Sequence, residues 1–154
     1  MAEDKNEFAG DVLFKSTLDG GDIVIEDGLV KDCRNFDTAA FLSLFGGNKK
    51  DLNARPKETW WGNLLPGTKR KEWIQSEFGA MSEGLPITGA NLLKAKNAAL
   101  RDLDWIKADA GADEVAASVR AENSARVKLT VEIKKQAAAI LGGAYETQWQ
   151  GAVK

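Results

Sequence analysis

Carboxylates are the one abundant resource for chemistry in this chain: 23 Asp and Glu stand beside one cysteine and no histidine. Without histidine there is no Ser-His-Asp or Cys-His machinery and no histidine-based metal site, and one cysteine cannot make a zinc cluster. Glycoside hydrolysis remains open in principle, because it needs only an acid and a second carboxylate across a sugar-binding cleft. Glu58, close to two tryptophans, is the position that invites this reading. Nothing in the sequence marks a partner carboxylate for it, and among so many acidic residues one near a tryptophan is expected by chance. The glycine pairs in Asp19-Gly20-Gly21-Asp22 and Gly46-Gly47-Asn48-Lys49 lack the spacing and the following helix of a phosphate-binding loop and read as turns. Lys69-Arg70-Lys71 with Trp73 offers charge and a stacking surface, but Glu72 and Glu77 interrupt it, so a solvated helix start is expected rather than a nucleic-acid site. Cys33, with no base placed beside it, is given no role. No catalytic, cofactor-binding or metal-binding residues are therefore expected.

The segment Arg55-Pro56-Lys57-Glu58-Thr59-Trp60-Trp61-Gly62-Asn63 is the most informative. Adjacent side chains point about 100 degrees apart on a helix and to opposite sides of a strand, so Trp60 and Trp61 must meet two different environments. Tryptophan joins a large apolar area to one donor N–H, a combination enriched at protein interfaces. Two readings stay open: both rings close the core, or one of them faces a partner.

The surrounding composition is that of an ordinary globular chain: 154 residues, 44% hydrophobic, 29% charged, net charge -2. That length suits one domain able to bury about two-thirds of its unfolded surface without disulfides or metal. Charge selects neither nucleic acid nor membrane as a partner, the lone cysteine fits a reducing compartment, and no run approaches the roughly 18 apolar residues of a membrane span. Synthesis in a cytoplasm is expected, since the N-terminus Met1 to Glu7 is acidic and lacks an apolar run.

The elements that must position any site follow from periodicity and turn chemistry. Asp27-Gly28 between two β-prone runs predicts a hairpin within 22–32. Phe36-Asp37-Thr38 offers a cap for a short buried helix through Phe45, stopped by Gly46-Gly47. Residues 48–89 hold all three prolines and five of the fifteen glycines, and predict an irregular excursion with one helical candidate, Lys69 to Phe78, whose Trp73, Ile74 and Phe78 share a face. Leu92, Ala95, Ala99, Leu103, Ile106 and Ala110 predict a long helix from about Asn91 to Ala110, ended by Gly111. The period then changes to two: Val115, Ala117, Val119 and Ala121, a turn at Asn123-Ser124, and Val127, Leu129, Val131 and Ile133 predict a second hairpin. Residues 134–141 are compatible with helix, whereas Tyr145, Thr147 and Trp149 alternate as a strand. Paired strands with helices on one side predict an α+β fold, a single domain spanning 1–154.

Taken in order, Gly21-Asp22-Ile23-Val24-Ile25, Ala39-Ala40-Phe41-Leu42-Ser43-Leu44-Phe45, Trp60-Trp61-Gly62-Asn63, Leu92-Leu93 to Trp105-Ile106, and Val127 to Ile133 resemble the Mu-like phage baseplate wedge proteins, which are similar in turn to the gene-25-type wedge proteins of contractile tails. The similarity covers roughly residues 10 to 135, leaving 136–154 as a tail. The family has an early aspartate strand, a helix ending in Leu-Phe, an Arg-Arg-Gly-Trp-Trp-Gly-Asp-like segment, a long helix with a Trp-Leu or Trp-Ile pair, and an alternating strand. This chain departs from it at Pro56 to Thr59 and at Asn63.

The resemblance implies a structural virion part rather than an enzyme: about six copies in the inner ring of a tail baseplate, bound to larger wedge proteins, with the tail sheath and tube or hub proteins as further partners. On that reading Arg55, Trp60, Trp61 and Asn63 are expected at the wedge contact, since aromatic and arginine anchors dominate interface energies. Tyr145, Thr147 and Trp149 are expected on a strand that either adds to a partner's sheet or closes this protein's own. A peptidoglycan-cleaving, lysozyme-like enzyme and a generic protein-binding adaptor are the competing expectations.

Overall fold

The computed structural model describes residues 11–17, 20–33, 36–46, 65–67, 69, 74–108, 111–136 and 138–148. Its N-terminal part is built from six short strands: β1 (Asp11–Val12), β2 (Phe14–Thr17), β3 (Gly20–Ile23), β4 (Ile25–Glu26), β5 (Leu29–Val30) and β6 (Asp32–Cys33). They pair antiparallel as β1 with β6, β2 with β3 and β4 with β5. The three ribbons meet at Leu13, Val24 and Lys31, whose backbones close a ring: Leu13 donates to Lys31 (2.8 Å), Lys31 to Val24 (2.9 Å) and Val24 to Leu13 (3.0 Å). No polar backbone group at these three positions is wasted, and the crossing of three ribbons is fixed in place. The β4–β5 hairpin is the one expected from the sequence. Asp27 (φ 51°) and Gly28 (φ 77°) both take positive φ at its tip, which Asp-Gly tolerates and most residues do not.

A buried hydroxyl ties these ribbons to the helices. Thr38 accepts from the Phe14 amide (3.3 Å) and donates to the Val12 carbonyl. The helix expected here is present as α1 (Asp37–Phe41), continuing into a π-helical turn over Leu42–Gly46. Its start carries no side-chain cap, contrary to expectation, because the Thr38 hydroxyl is spent on the strands. Phe14, Phe41, Phe45 and Phe78 form a chain of ring contacts with centroids 6.3, 5.3 and 5.6 Å apart, leading from the ribbons into the core.

Two helices differ from their expected bounds. Of the candidate Lys69 to Phe78, residues 70–73 with Trp73 lie outside the described residues, Ile74 to Ser76 stand outside any helix, and the helix found is α2 (Glu77–Gly84). The reason is a contact distant in sequence: the Ser76 hydroxyl is drawn to the carbonyls of Ser43 (2.8 Å) and Leu42 (3.3 Å), and the helix begins only after it. The long helix, α3 (Gly89–Asp102), starts two residues early because Thr88 caps it, accepting from the Asn91 amide at 3.2 Å. It also stops early. Asp104 donates to the Arg101 carbonyl in a tightened turn, and the chain resumes as α4 (Trp105–Ala108). The periodicity is preserved across the break, so Leu103 and Ile106 are both fully buried.

The second expected hairpin is β7 (Glu114–Ala121) with β8 (Arg126–Lys135). Val127, Leu129, Val131 and Ile133 are all fully buried, and the residues between them are exposed or half-buried, so one face of the sheet is core and the other wet. The C-terminal ambiguity resolves as strand: β9 (Ala138–Gln148) pairs antiparallel with β8 along its whole length, and no helix forms over 138–141. The register slips between Ile133 and Lys134, placing one extra residue in β9 as a bulge. The sheet order is β7-β8-β9, and α3 and α4 pack on β7. The core joins Phe36, Ala40 and Leu44, Phe78, Ala95, Ala98, Ala99, Leu103 and Ile106 to the inward residues of β7 and β8. The fold is α+β, as expected.

Candidate interaction surface

Among the described residues, the arrangement closest to an acid-base site is the pair Glu77 and Asp102. Asp102 ends α3 and reaches the start of α2, where its two oxygens accept from the amides of Glu77 (3.0 Å) and Phe78 (2.8 Å). These amides have no partner within their own helix, so Asp102 supplies from another helix the cap that α2 lacks. Burial pushes the Asp102 carboxyl up to about 7, against the two amide bonds, which favour the charged form; Glu77 raises it further and Arg101 opposes that. The Glu77 carboxylate accepts from Arg101 Nε at 2.8 Å. A perturbed carboxyl next to a second carboxylate would ordinarily suggest catalysis. Here both acids are committed to holding α2 against α3, and the arrangement is a clamp.

A second polar cluster presents an aromatic surface. The buried Ser43 hydroxyl, in the π-helical turn, donates to the Ala39 carbonyl (2.8 Å) and accepts the indole N–H of Trp105 (2.9 Å). The π-helical widening also frees the Leu42 and Ser43 carbonyls for Ser76. One short segment thus binds α2's approach and α4 together. With its donor satisfied inward, Trp105 keeps 38% of its surface exposed. A ring locked by its polar end and open on its face is the kind of anchor that protein interfaces favour.

The third feature is a sheet edge. β9 is terminal in the order β7-β8-β9, so among the described residues its outer backbone edge pairs with no strand. Such an edge is a template for another chain's strand. No family model, no curated protein and no solved structure matches the chain. The surface must therefore be judged on its own geometry.

Of the residues expected at interfaces, Tyr145 and Thr147 lie within β9, opposite Leu129 and Val127 in the register. The strand that carries them closes this protein's own sheet, and only its far edge is open to a partner. Arg55, Trp60, Trp61, Asn63 and Trp149 lie outside the described residues. Sequence reasoning passed over the exposed side chains of the β4–β5 hairpin. The available signal was Ile25-Glu26 and Leu29-Val30 around Asp27-Gly28, a hairpin too short to bury its own apolar residues.

Proposed function

We propose that the chain is a structural subunit of a contractile phage tail baseplate, bound to larger wedge proteins and offering a platform on which sheath assembles. The observation that carries the reading is the long edge strand β9, eleven residues with an outer edge unpaired among the described residues, backed by a rigid core strand. A partner strand added there gains backbone hydrogen bonds for affinity and alternate side-chain positions for register. The order of elements supports the same reading. Gly21 to Ile25 spans β3 into β4, Ala39 to Phe45 spans α1 and its π-helical turn, Leu92 to Ile106 spans α3 and α4, and Val127 to Ile133 lies within β8. These are the strand, helix, long helix and alternating strand that the resemblance implies.

A peptidoglycan-cleaving role is disfavoured because, among the described residues, the one carboxyl poised near neutrality, Asp102, has both oxygens on backbone amides; Glu58 lies outside the described residues. The reading is tested by purifying a tagged copy from cells producing the particle and identifying its companions by mass spectrometry. Recovery of wedge and sheath subunits is expected; a chain recovered alone, or one that clears cell-wall suspensions, contradicts it.

A further inference from the structure

The β4–β5 hairpin is the most apolar exposed element of the described surface. Ile25 is 62% exposed, Leu29 74% and Val30 53%, and Glu26, Asp27 and Gly28 between them are exposed as well. Apolar side chains gathered on a projecting hairpin, rather than scattered singly, mark an interaction site. Their distribution narrows its shape. Ile25 and Val30 are register partners and so point to one face of the ribbon, whereas Leu29 is paired with Glu26 and points to the other. A flat surface could cover only one of these faces; a cleft covers both.

The hairpin is also held ready. Its base is the hydrogen-bonded ring of Leu13, Val24 and Lys31, its tip is the positive-φ turn Asp27-Gly28, and the strands β1 and β2 on either side of Leu13 are fastened to α1 through Thr38. Little ordering entropy remains to be lost on docking. Its charge is one-sided: Asp22, Glu26, Asp27 and Asp32 are all exposed, against Lys31, which is already paired with Glu26 at 2.8 Å.

We infer that the Ile25–Val30 hairpin is a docking finger that inserts into an apolar cleft rimmed by lysine or arginine on another protein. Its apolar residues supply the anchor, and the acidic ring around them sets approach and orientation. This rests on the baseplate reading only for the identity of that protein, which is then another subunit of the particle.

The test places a photoreactive benzoylphenylalanine at Leu29 of the full tagged chain in particle-producing cells, with Leu93 on α3, 59% exposed, as the control position. Irradiation at position 29 should give one discrete adduct with a particle subunit, on an apolar segment flanked by Lys or Arg, and position 93 should not. Reversing Glu26→Lys and Asp27→Lys together should cut that adduct by roughly tenfold, as loss of complementary rim charge slows docking. The reversed chain loses the Lys31–Glu26 pair and sets lysine at the positive φ of position 27, so it should melt somewhat lower but still unfold in one cooperative transition above the temperature of irradiation. An adduct with a second copy of this chain, an adduct on an uncharged or acidic segment, or no adduct above the control while particle subunits still co-purify would overturn the finger and leave the baseplate reading standing. An adduct of the expected chemistry on a protein that is no part of the particle would support the finger and contradict the baseplate reading.

Discussion

Trp105 and Ser43 stand 62 residues apart in the chain and 2.9 Å apart in space, joined by the indole N–H and the serine hydroxyl. The contact holds α4 against the π-helical turn and fixes the exposed face of the tryptophan. Removing either partner should cost about 1 kcal/mol, the usual net worth of a hydrogen bond. Urea denaturation of Trp105→Phe, Ser43→Ala and the double variant closes a cycle in which a coupling on the order of 0.5–1.5 kcal/mol is expected. Additive losses would mean that the bond contributes nothing to stability.

Asp102 makes stability depend on pH in an unusual direction. Its folded-state value of about 7 lies above the ordinary 3.8, so folding takes up a proton between those two values. Stability from this group is present below about pH 4, falls as pH rises toward 7, and is flat above, by an amount on the order of a few kcal/mol at about 1.4 kcal/mol per unit. Denaturation midpoints measured from pH 4 to 8 should show that decline. Asp102→Asn, which cannot titrate, should flatten it, and an unchanged slope in the variant would assign the effect to another group. Asp102→Ala, which cannot titrate either, should cost about 1 kcal/mol or more near pH 4 through loss of the cap on α2, and the cost should shrink as pH rises toward 7.

Gly79 opposes the usual rule that alanine strengthens a helix. A Cβ there would meet the Leu44 carbonyl oxygen at 3.0 Å, and that oxygen is backbone that cannot swing aside. Propensity alone would reward Gly79→Ala by up to about 1 kcal/mol. The expected result is a net loss in thermal stability, because α2 must move off the π-helical turn.

Leu129 lies at the centre of the buried face of β8. Leu129→Ala should cost about 2–5 kcal/mol by chemical denaturation, whereas Thr130→Ala, on the wet face, should stay within about 0.5 kcal/mol.

Much of this architecture was legible where a single local rule decided the outcome. The two-residue alternation of Val127 to Ile133 needs only the pleat of a strand, and Asp27-Gly28 needs only tolerance of positive φ. The misses came where a distant residue overrode the local signal. Lys134 to Leu141 is made of good helix formers, yet β8 requires a partner on its second edge and draws the segment into β9. The reversal uses Gln136 at φ 52°, steadied by the Asp113 carboxylate on its amide, and nothing in that residue type announces a turn. The start of α2 was misplaced for the same reason, since the Leu42 and Ser43 carbonyls that hold Ser76, and Asp102, set it from other parts of the fold. Of the candidate surface, Trp105 was visible only as half of a Trp-Ile pair; its exposure depends on Ser43, which no spacing links to it. Tyr145 and Thr147 were correctly placed on a strand, but the pairing of that strand with β8 was one of two open choices.

The role proposed for this chain is that of a subunit built into a contractile tail baseplate. It is tested most directly by sedimenting tail particles from producing cells and quantifying the chain against wedge and sheath subunits. In that role the chain should travel with the particles in a fixed ratio to the wedge proteins, and cells lacking it should make tube and sheath proteins that fail to assemble. A chain left in the soluble fraction, with intact particles formed in its absence, would rule the baseplate role out.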